Sequence, residues 1–339
     1  MNNESESERT RGSGFGGPQG ASSLPKGRGE GAQRRRGVSE SLSRGAGFAG
    51  PQGASSLPGE TGASAKWRKS AFRVVREFLL ALQFFTRIPV TGRLADWVGF
   101  SPAMLRASAA HFPGVGWVVG GVTALVFAGL MSALPHQPAA PWVAAMLSTV
   151  FSVLLTGAFH EDGLADLADG LGGSMDRERA LDIMKDSRVG SYGALALVLA
   201  VGVKTALIAL LAQAGGWPLA ALAVFAAHVS SRFAPLFVIR TLPHVGDTAA
   251  SKSKPLAEAI SGAGMLVGLL WWVVAMGLVV LLRPDVRWWS ALLGAVLGLV
   301  WMWRLLNRRL QGFTGDGLGA TQQVCEAAFY LCLALALPA

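Results

Sequence analysis

The stretch His160-Glu161-Asp162-Gly163-Leu164-Ala165-Asp166-Leu167-Ala168-Asp169-Gly170 places three aspartates at D-x3-D-x2-D spacing directly after an apolar run. On a helix, positions i, i+4 and i+7 share one face, so Asp162, Asp166 and Asp169 are expected on a single stripe. Three unpaired carboxylates so placed repel one another. A divalent cation relieves that repulsion, and Mg2+ takes oxygen ligands of this kind. Hard cations held this way commonly grip phosphates, which points to phosphoryl chemistry. His160, beside the stripe, is a candidate ligand, proton acceptor or orienter, although a lone histidine is more often structural.

A second polar stretch follows at Asp182-Ile183-Met184-Lys185-Asp186-Ser187-Arg188-Val189-Gly190. Asp182 and Asp186 again sit four apart. Lys185 and Arg188 offer positive charge to phosphate oxygens, with arginine suited to bidentate contact. An ordinary set of ion pairs at a helix end would look similar. Between positions 160 and 190 there are eight acidic and four basic residues, a net of −4 in a chain of net charge +9. Glycines at 163, 170, 172 and 173 allow close backbone approach to a ligand. Two further segments complete the candidate set. DTAASKSKPL at 247–256 supplies Lys252 and Lys254, and FTGDGLGA at 313–320 supplies Asp316 in a Gly-rich turn opening a helix. A helix N-terminus of that kind suits an anion, and Asp316 is placed to add a carboxylate to the cation site. Neither a G-x4-G-K-[ST] loop nor a G-x-G-x-x-G after a strand occurs, so a P-loop or Rossmann site is unsupported.

The elements that must position these residues are membrane helices. The chain of 339 residues is 51% hydrophobic and 15% charged, with mean hydropathy +0.42. That is too apolar for an ordinary soluble domain of this length. Spanning-length apolar segments fall at 112–134, 139–159, 190–213, 217–239, 262–282, 288–306 and 319–337. The expected architecture is therefore an all-α polytopic bundle of about seven transmembrane helices. Phe72–Pro89, which carries Arg73, Arg76, Glu77 and Arg87, reads as an interfacial helix ahead of them. Lys204, Arg232 and Glu326 lie inside apolar segments, where charge is costly and usually faces a polar interior. Mutual structural pairing and a functional role are both open for them, and for His228 four residues before Arg232. The two cysteines, Cys325 and Cys332, read as buried small hydrophobes.

Residues 1–65 are rich in Gly, Ser, Pro and Arg and read as a disordered low-complexity extension, distinct from a membrane-embedded catalytic domain at 66–339. GFGGPQGASSLP at 14–25 recurs as GFAGPQGASSLP at 47–58, a two-copy repeat with no amphipathic period. Residues 1–76 hold 13 Lys/Arg against 6 Asp/Glu, a net of +7. This basic excess suits anionic lipid at the cytoplasmic face better than nucleic acid. Lys66, Arg68, Lys69, Arg73 and Arg76 ahead of the first span argue for a cytoplasmic N-terminus. Alternation then puts the 160–189, 240–261 and 307–318 loops on the same side. Nearly all polar chemistry thus sits at one face, as an enzyme of cytoplasmic substrates requires. A transporter needs polar groups reachable from both sides.

Taken together, FFTRIPV at 84–90, FPGVGWVVG at 112–120, HEDGLADLADGLGG at 160–173, LDIMKDSRVGSYGALAL at 181–197, SKSKPL at 251–256 and TGDGLGA at 314–320 resemble the cobalamin synthase (adenosylcobinamide-GDP ribazoletransferase) family. The likeness runs from about Phe72 to the C-terminus. It implies an Mg2+-dependent integral enzyme of the bacterial inner membrane. Such an enzyme joins adenosylcobinamide-GDP to α-ribazole, or to its 5′-phosphate, and releases GMP. On this reading Asp162, Asp166 and Asp169 hold the metal, while His160, Lys185 and Arg188 serve the chemistry. Asp182, Asp186, Lys252, Lys254 and Asp316 bind substrate or phosphate. Other cobalamin-assembly enzymes, or a second copy of the chain, are the partners such a role suggests. Competing readings are a membrane phosphotransferase of the CDP-alcohol type and a transporter. The first expects an Ala-Arg pair soon after Asp-Gly, where this chain has Leu164-Ala165-Asp166.

Overall fold

The structure is a computed structural model that describes residues 62–246 and 259–338, with side chains from Ala71 onward. The described residues all belong to one compact unit, Pro58–Ala339. The expected disordered extension, apart from the start of the first helix, lies outside the described residues, as do Lys252 and Lys254.

Twelve α-helices are described. The first, α1 (Gly62–Phe85), begins well before the expected interfacial segment and stops four residues short of Pro89. Two short helices, α2 (Gly92–Val98) and α3 (Pro102–Ser108), lead through a single 3-10 turn at Ala109–His111 into α4 (Phe112–Ala133). Then come α5 (Ala140–Thr156), α6 (Phe159–Gly173), α7 (Arg177–Met184), α8 (Ser191–Gly215) and α9 (Trp217–Thr241). The chain closes with α10 (Gly262–Leu282), α11 (Trp288–Arg309) and α12 (Gly315–Leu335). Start signals are local. Pro113, Pro141 and Pro218 occupy first-turn positions of their helices, where a missing N–H costs nothing. The hydroxyls of Ser101, Ser261 and Thr314 each accept from the backbone N–H three residues on.

All seven expected spans are helices, but not all are simple spans. Five stretches are long and apolar enough to cross a bilayer: 102–133, 191–215, 217–241, 262–282 and 288–309. A sixth is obtained only by joining α5 to α6, which meet at a 90° bend. The segment expected to run straight through 139–159 therefore ends at Thr156 and turns. Gly157 and Ala158 both take positive φ there, 66° and 60°. A left-handed alanine is strained, and such strain persists only where the surroundings hold it. Arg87, whose N–H donates to the Leu155 carbonyl, fills the space where a Gly157 side chain would go. The last segment, α12, falls short of a spanning helix by composition. It buries Thr321, Gln322, Gln323 and Glu326 in the bundle and presents little apolar face to lipid.

Burial sorts the helices into shells. The most apolar stretch of α9 is 78% buried, whereas that of α10 is 22% buried and shows Leu266, Leu270, Val274 and Leu281 outward. The centre is α9 and α12, with α4 against α9 and with α6, α8 and α11 against α12. Exposed Trp289, Leu293, Val296, Leu297 and Trp301 on α11, and Val198 and Leu199 on α8, form faces suited to lipid rather than water.

Candidate active site

The acidic stretch lies on α6, the arm that follows the 90° bend. Three attachments fix this arm. At its C-terminal end, the Arg309 guanidinium donates to the carbonyls of Leu171 and Ser174 at 3.0 and 2.6 Å, cation against orphan carbonyls. Along one side it packs on α12, with Gly163 against the backbone of Asp316. A methyl group at Gly163 would come within 2.8 Å of the Asp316 carbonyl oxygen. Gly319 in turn lies against the backbone of His160. The turn opening α12 is itself pinned, because Phe313 N–H donates to Pro243 and its carbonyl accepts from Val245, both at 2.9 Å.

This packing decides which carboxylates meet. Asp162 is exposed on the rim, while Asp166 and Asp316 are half-buried. Burial, then the charges of Asp316, Asp162 and Asp169, push the Asp166 carboxyl up to about 7. Asp316 on α12 is thus a close electrostatic neighbour of the α6 stripe, as its Gly-rich turn suggested. Asp169 is near enough to act on Asp166, but its own oxygens are engaged. They accept the N–H groups of Gly190 at 2.7 Å and Gly193 at 2.8 Å, at the start of α8. A side chain at either glycine would run into that carboxylate, within 2.4 Å at Gly190 and 2.3 Å at Gly193. A carboxylate at a helix N-terminus is a favourable structural anchor. The stripe expected on one face is therefore divided: Asp162 and Asp166 face the rim with Asp316, and Asp169 fastens α6 to α8.

His160 is turned away from the stripe, as a residue two before Asp162 must be on a helix. It is buried, stacked 6.1 Å from Phe85 and edge-on to Phe159. Burial, followed by the charge of Arg232, holds its imidazole well below the ordinary histidine range, so it is neutral. It borders a small cavity of about 30 Å³ shared with Phe84, Arg232, Gly315 and Gln322.

The second polar stretch lines an open cleft of about 550 Å³ with Asp169, Arg179, Tyr192 and Gly190. Arg188 and Asp186 form a two-pronged pair at 2.5 to 3.1 Å, and Lys185 contacts Asp182 at 3.2 Å. The Arg188 guanidinium draws the Asp186 carboxyl down to about 2. All four side chains are substantially exposed, so both pairs are open to exchange with an incoming anion.

Among the described residues, no three carboxylate or imidazole groups converge closely enough to enclose an ion by themselves. The donor chemistry still fits Mg2+. That ion keeps several waters and is usually held by one or two carboxylates together with substrate phosphates. Asp162, Asp166 and Asp316 offer hard oxygen ligands of uncompensated charge on one rim.

Sequence reasoning left open the charges inside the apolar segments, and here the structure is definite. Lys204 on α8 pairs with Glu326 on α12 at 3.2 Å, and Arg232 donates to His228 Nδ1 at 2.8 Å. Tyr330 and Gln322 also donate to Glu326, at 3.2 and 2.8 Å. By sequence, Glu161 counts only among the eight acidic residues between positions 160 and 190. It is buried and accepts from Gln323 at 2.9 Å. The signal available beforehand was Gln322-Gln323, two amides in an otherwise apolar helix, which need partners inside the bundle.

A helical bundle with several helices able to cross a membrane, an acidic rim and an arginine-lined cleft is the frame of a membrane transferase of substituted phosphate groups, the class to which its relatives belong. More narrowly, the chain belongs to the Cobalamin-5-phosphate synthase (CobS) family, which it matches over residues 77–334. Relatives named adenosylcobinamide-GDP ribazoletransferase bear this out. The protein of Polaromonas sp. is 58% identical over 276 residues, 78% of this chain and 98% of its own. That of Leptothrix cholodnii is 47% identical over 76% of this chain and 94% of its own. That of Vibrio cholerae is 41% identical over 76% and 92%. No solved structure matches the chain.

Proposed function

We propose that this chain joins adenosylcobinamide-GDP to α-ribazole, or to its 5′-phosphate, with release of GMP. The observation that carries the reading is that Asp162, Asp166 and Asp316 act electrostatically on one another at one rim, beside the cleft lined by Arg179 and Arg188. A ribazole hydroxyl oxygen attacks the phosphorus that bears the cobinamide. A new P–O bond forms, the P–O bond of the diphosphate breaks, and GMP leaves with the electron pair. The hydroxyl proton passes to a rim carboxylate. His160 is assigned no such role, because its ring faces the protein interior.

Mg2+ is the proposed cofactor, with Asp162, Asp166 and Asp316 as its residues. When bound, it would offset the charge of the diphosphate and of the departing phosphate. Lys185 and Arg188 would exchange their carboxylate partners for phosphate oxygens as the substrate enters. Asp182 and Asp186 hold those cations in place until then. Lys252 and Lys254, which lie outside the described residues, are proposed as further phosphate contacts. The chain is placed in the inner membrane with its rim toward the cytoplasm, on the strength of the basic residues preceding the first span.

The test is direct. Full-length protein purified in detergent is given both substrates, with Mg2+ or with a chelator, and GMP and the cobalamin product are measured. Metal-dependent formation of both in equal amounts is expected. Turnover of a CDP-alcohol instead, or none with either donor, overturns the assignment.

A further inference from the structure

We infer that Glu161 and Gln323 are positioning residues: their hydrogen bond, braced through Gln322 and Glu326 on Lys204, sets how closely Asp162 faces Asp316. The inference rests on the cation reading of the rim given above. Adjacent residues on a helix point about 100° apart. While Asp162 points to the rim, Glu161 therefore turns into the α6–α12 seam. Three contacts succeed one another along that seam: Gly163 on Asp316, His160 on Gly319, and Glu161 on Gln323. The first two are backbone contacts without polar direction, and only the third is a directed bond.

The bond is held in one sense by a complete use of donors. The Gln323 amide spends one hydrogen on Glu161 and the other on the Gln322 oxygen, both at 2.9 Å. The Gln322 amide spends its two on Ser231 of α9 at 2.9 Å and Glu326 at 2.8 Å. Glu326 is fixed in turn by Lys204 of α8 at 3.2 Å. Turning the Gln323 amide over would set its oxygen against the Glu161 carboxylate, so the chain has one orientation. The other Glu161 oxygen is buried and has no partner, as is Nε of Arg232. A single bond therefore orients Glu161. Through Glu161, residues deep in three helices, α8, α9 and α12, locate the rim of α6 against α12.

The probe is Mn2+, titrated by electron paramagnetic resonance into the full-length protein in detergent, with Mg2+ as competitor. In Gln323→Leu the dissociation constant is expected to rise about 10-fold, the lower end of the effect of losing an outer support of a metal ligand. Glu161→Gln keeps an oxygen that accepts the same bond and is expected within about twofold of wild type on the same footing. The paired variant Glu161→Leu with Gln323→Leu removes both partners of the seam bond together and strips only the Gln322 oxygen of its donor. It is expected to fold and still bind Mn2+ weakly. Unchanged Mn2+ affinity in both Gln323→Leu and the paired variant would overturn the inference. So would Glu161→Gln as impaired as Gln323→Leu, which would make the charge and not the bond the agent. Absence of Mn2+ binding by the wild type itself would overturn the cation reading, a failure told apart because it precedes any substitution.

Discussion

Two charged regions of this molecule are built on opposite plans. In the bundle interior, Lys204, Glu326, Gln322, Gln323, Tyr330, Ser231, Arg232 and His228 answer one another almost atom for atom. At the rim, Asp162, Asp166 and Asp316 stand together without a cation among the described side chains to answer them. In a low-dielectric interior an unanswered charge is too costly to keep, so Lys204 and Arg232 are set there against Glu326 and the buried Glu161. At the rim the imbalance is tolerated because Asp162 is exposed to water, and on the proposed reading a cation from outside completes it. On that reading, charges that hold helices are answered internally and charges that serve the reaction are left for the ligand.

The strongest way to break this contrast is to remove a rim carboxylate. Asp162→Ala or Asp166→Ala should lower turnover on the order of 10³-fold, the scale of losing a group that stabilises transition-state charge. Membrane insertion should hold, and the unfolding midpoint should not fall. The reverse pattern is expected inside. Lys204→Met strands Glu326 and should cost about 3–5 kcal/mol in detergent unfolding, whereas Lys204→Met with Glu326→Leu should recover part of that loss. If the single change left stability untouched, the interior charges would not be a structural set.

Gly163 joins the two regions. Gly163→Ala places a methyl group 2.8 Å from the Asp316 carbonyl. It should cost about 1–3 kcal/mol and depress activity as the helices part. Gly121→Ala on α4, with nothing within 4 Å, is the matched control and should be silent. Arg188→Ala should raise KM for the diphosphate substrate roughly 10-fold and leave the unfolding midpoint alone, since its only partner here is exposed Asp186.

The smallest effect concerns pH. Because Asp166 is raised to about 7 in the folded chain, the folded state holds a proton that the unfolded state has released above about pH 4. Metal-free protein should therefore lose stability as pH rises through the interval from about 4 to 7. Mg2+ or Asp166→Asn should flatten that slope. A slope of opposite sign in chelator would show that Asp166 is not crowded by other carboxylates.

How much of this was legible beforehand follows from the range of each signal. Apolar runs and first-turn prolines are local, so every expected span is a helix, with ends close to those read from the chain. The acidic spacing is equally local, and it placed Asp162 and Asp166 together. The 90° turn at Gly157-Ala158 was not legible, because it depends on Arg87 packing under a strained pair far along the sequence. The division of the stripe was hidden for a similar reason. Nothing near Asp169 announces that Gly190 and Gly193 will bring their N–H groups to it.

The residues alone therefore settled that this is a helical membrane protein with a carboxylate row at one end, because helix period and bilayer thickness act on neighbours in the chain. Only the folded bundle decided that Asp169 is fastened to the start of α8, that His160 turns inward, and that Glu161 bonds Gln323 across the seam. Those outcomes turn on which helix lies opposite which, and that is set by close backbone approach at glycines and by buried hydrogen bonds between residues up to 162 positions apart.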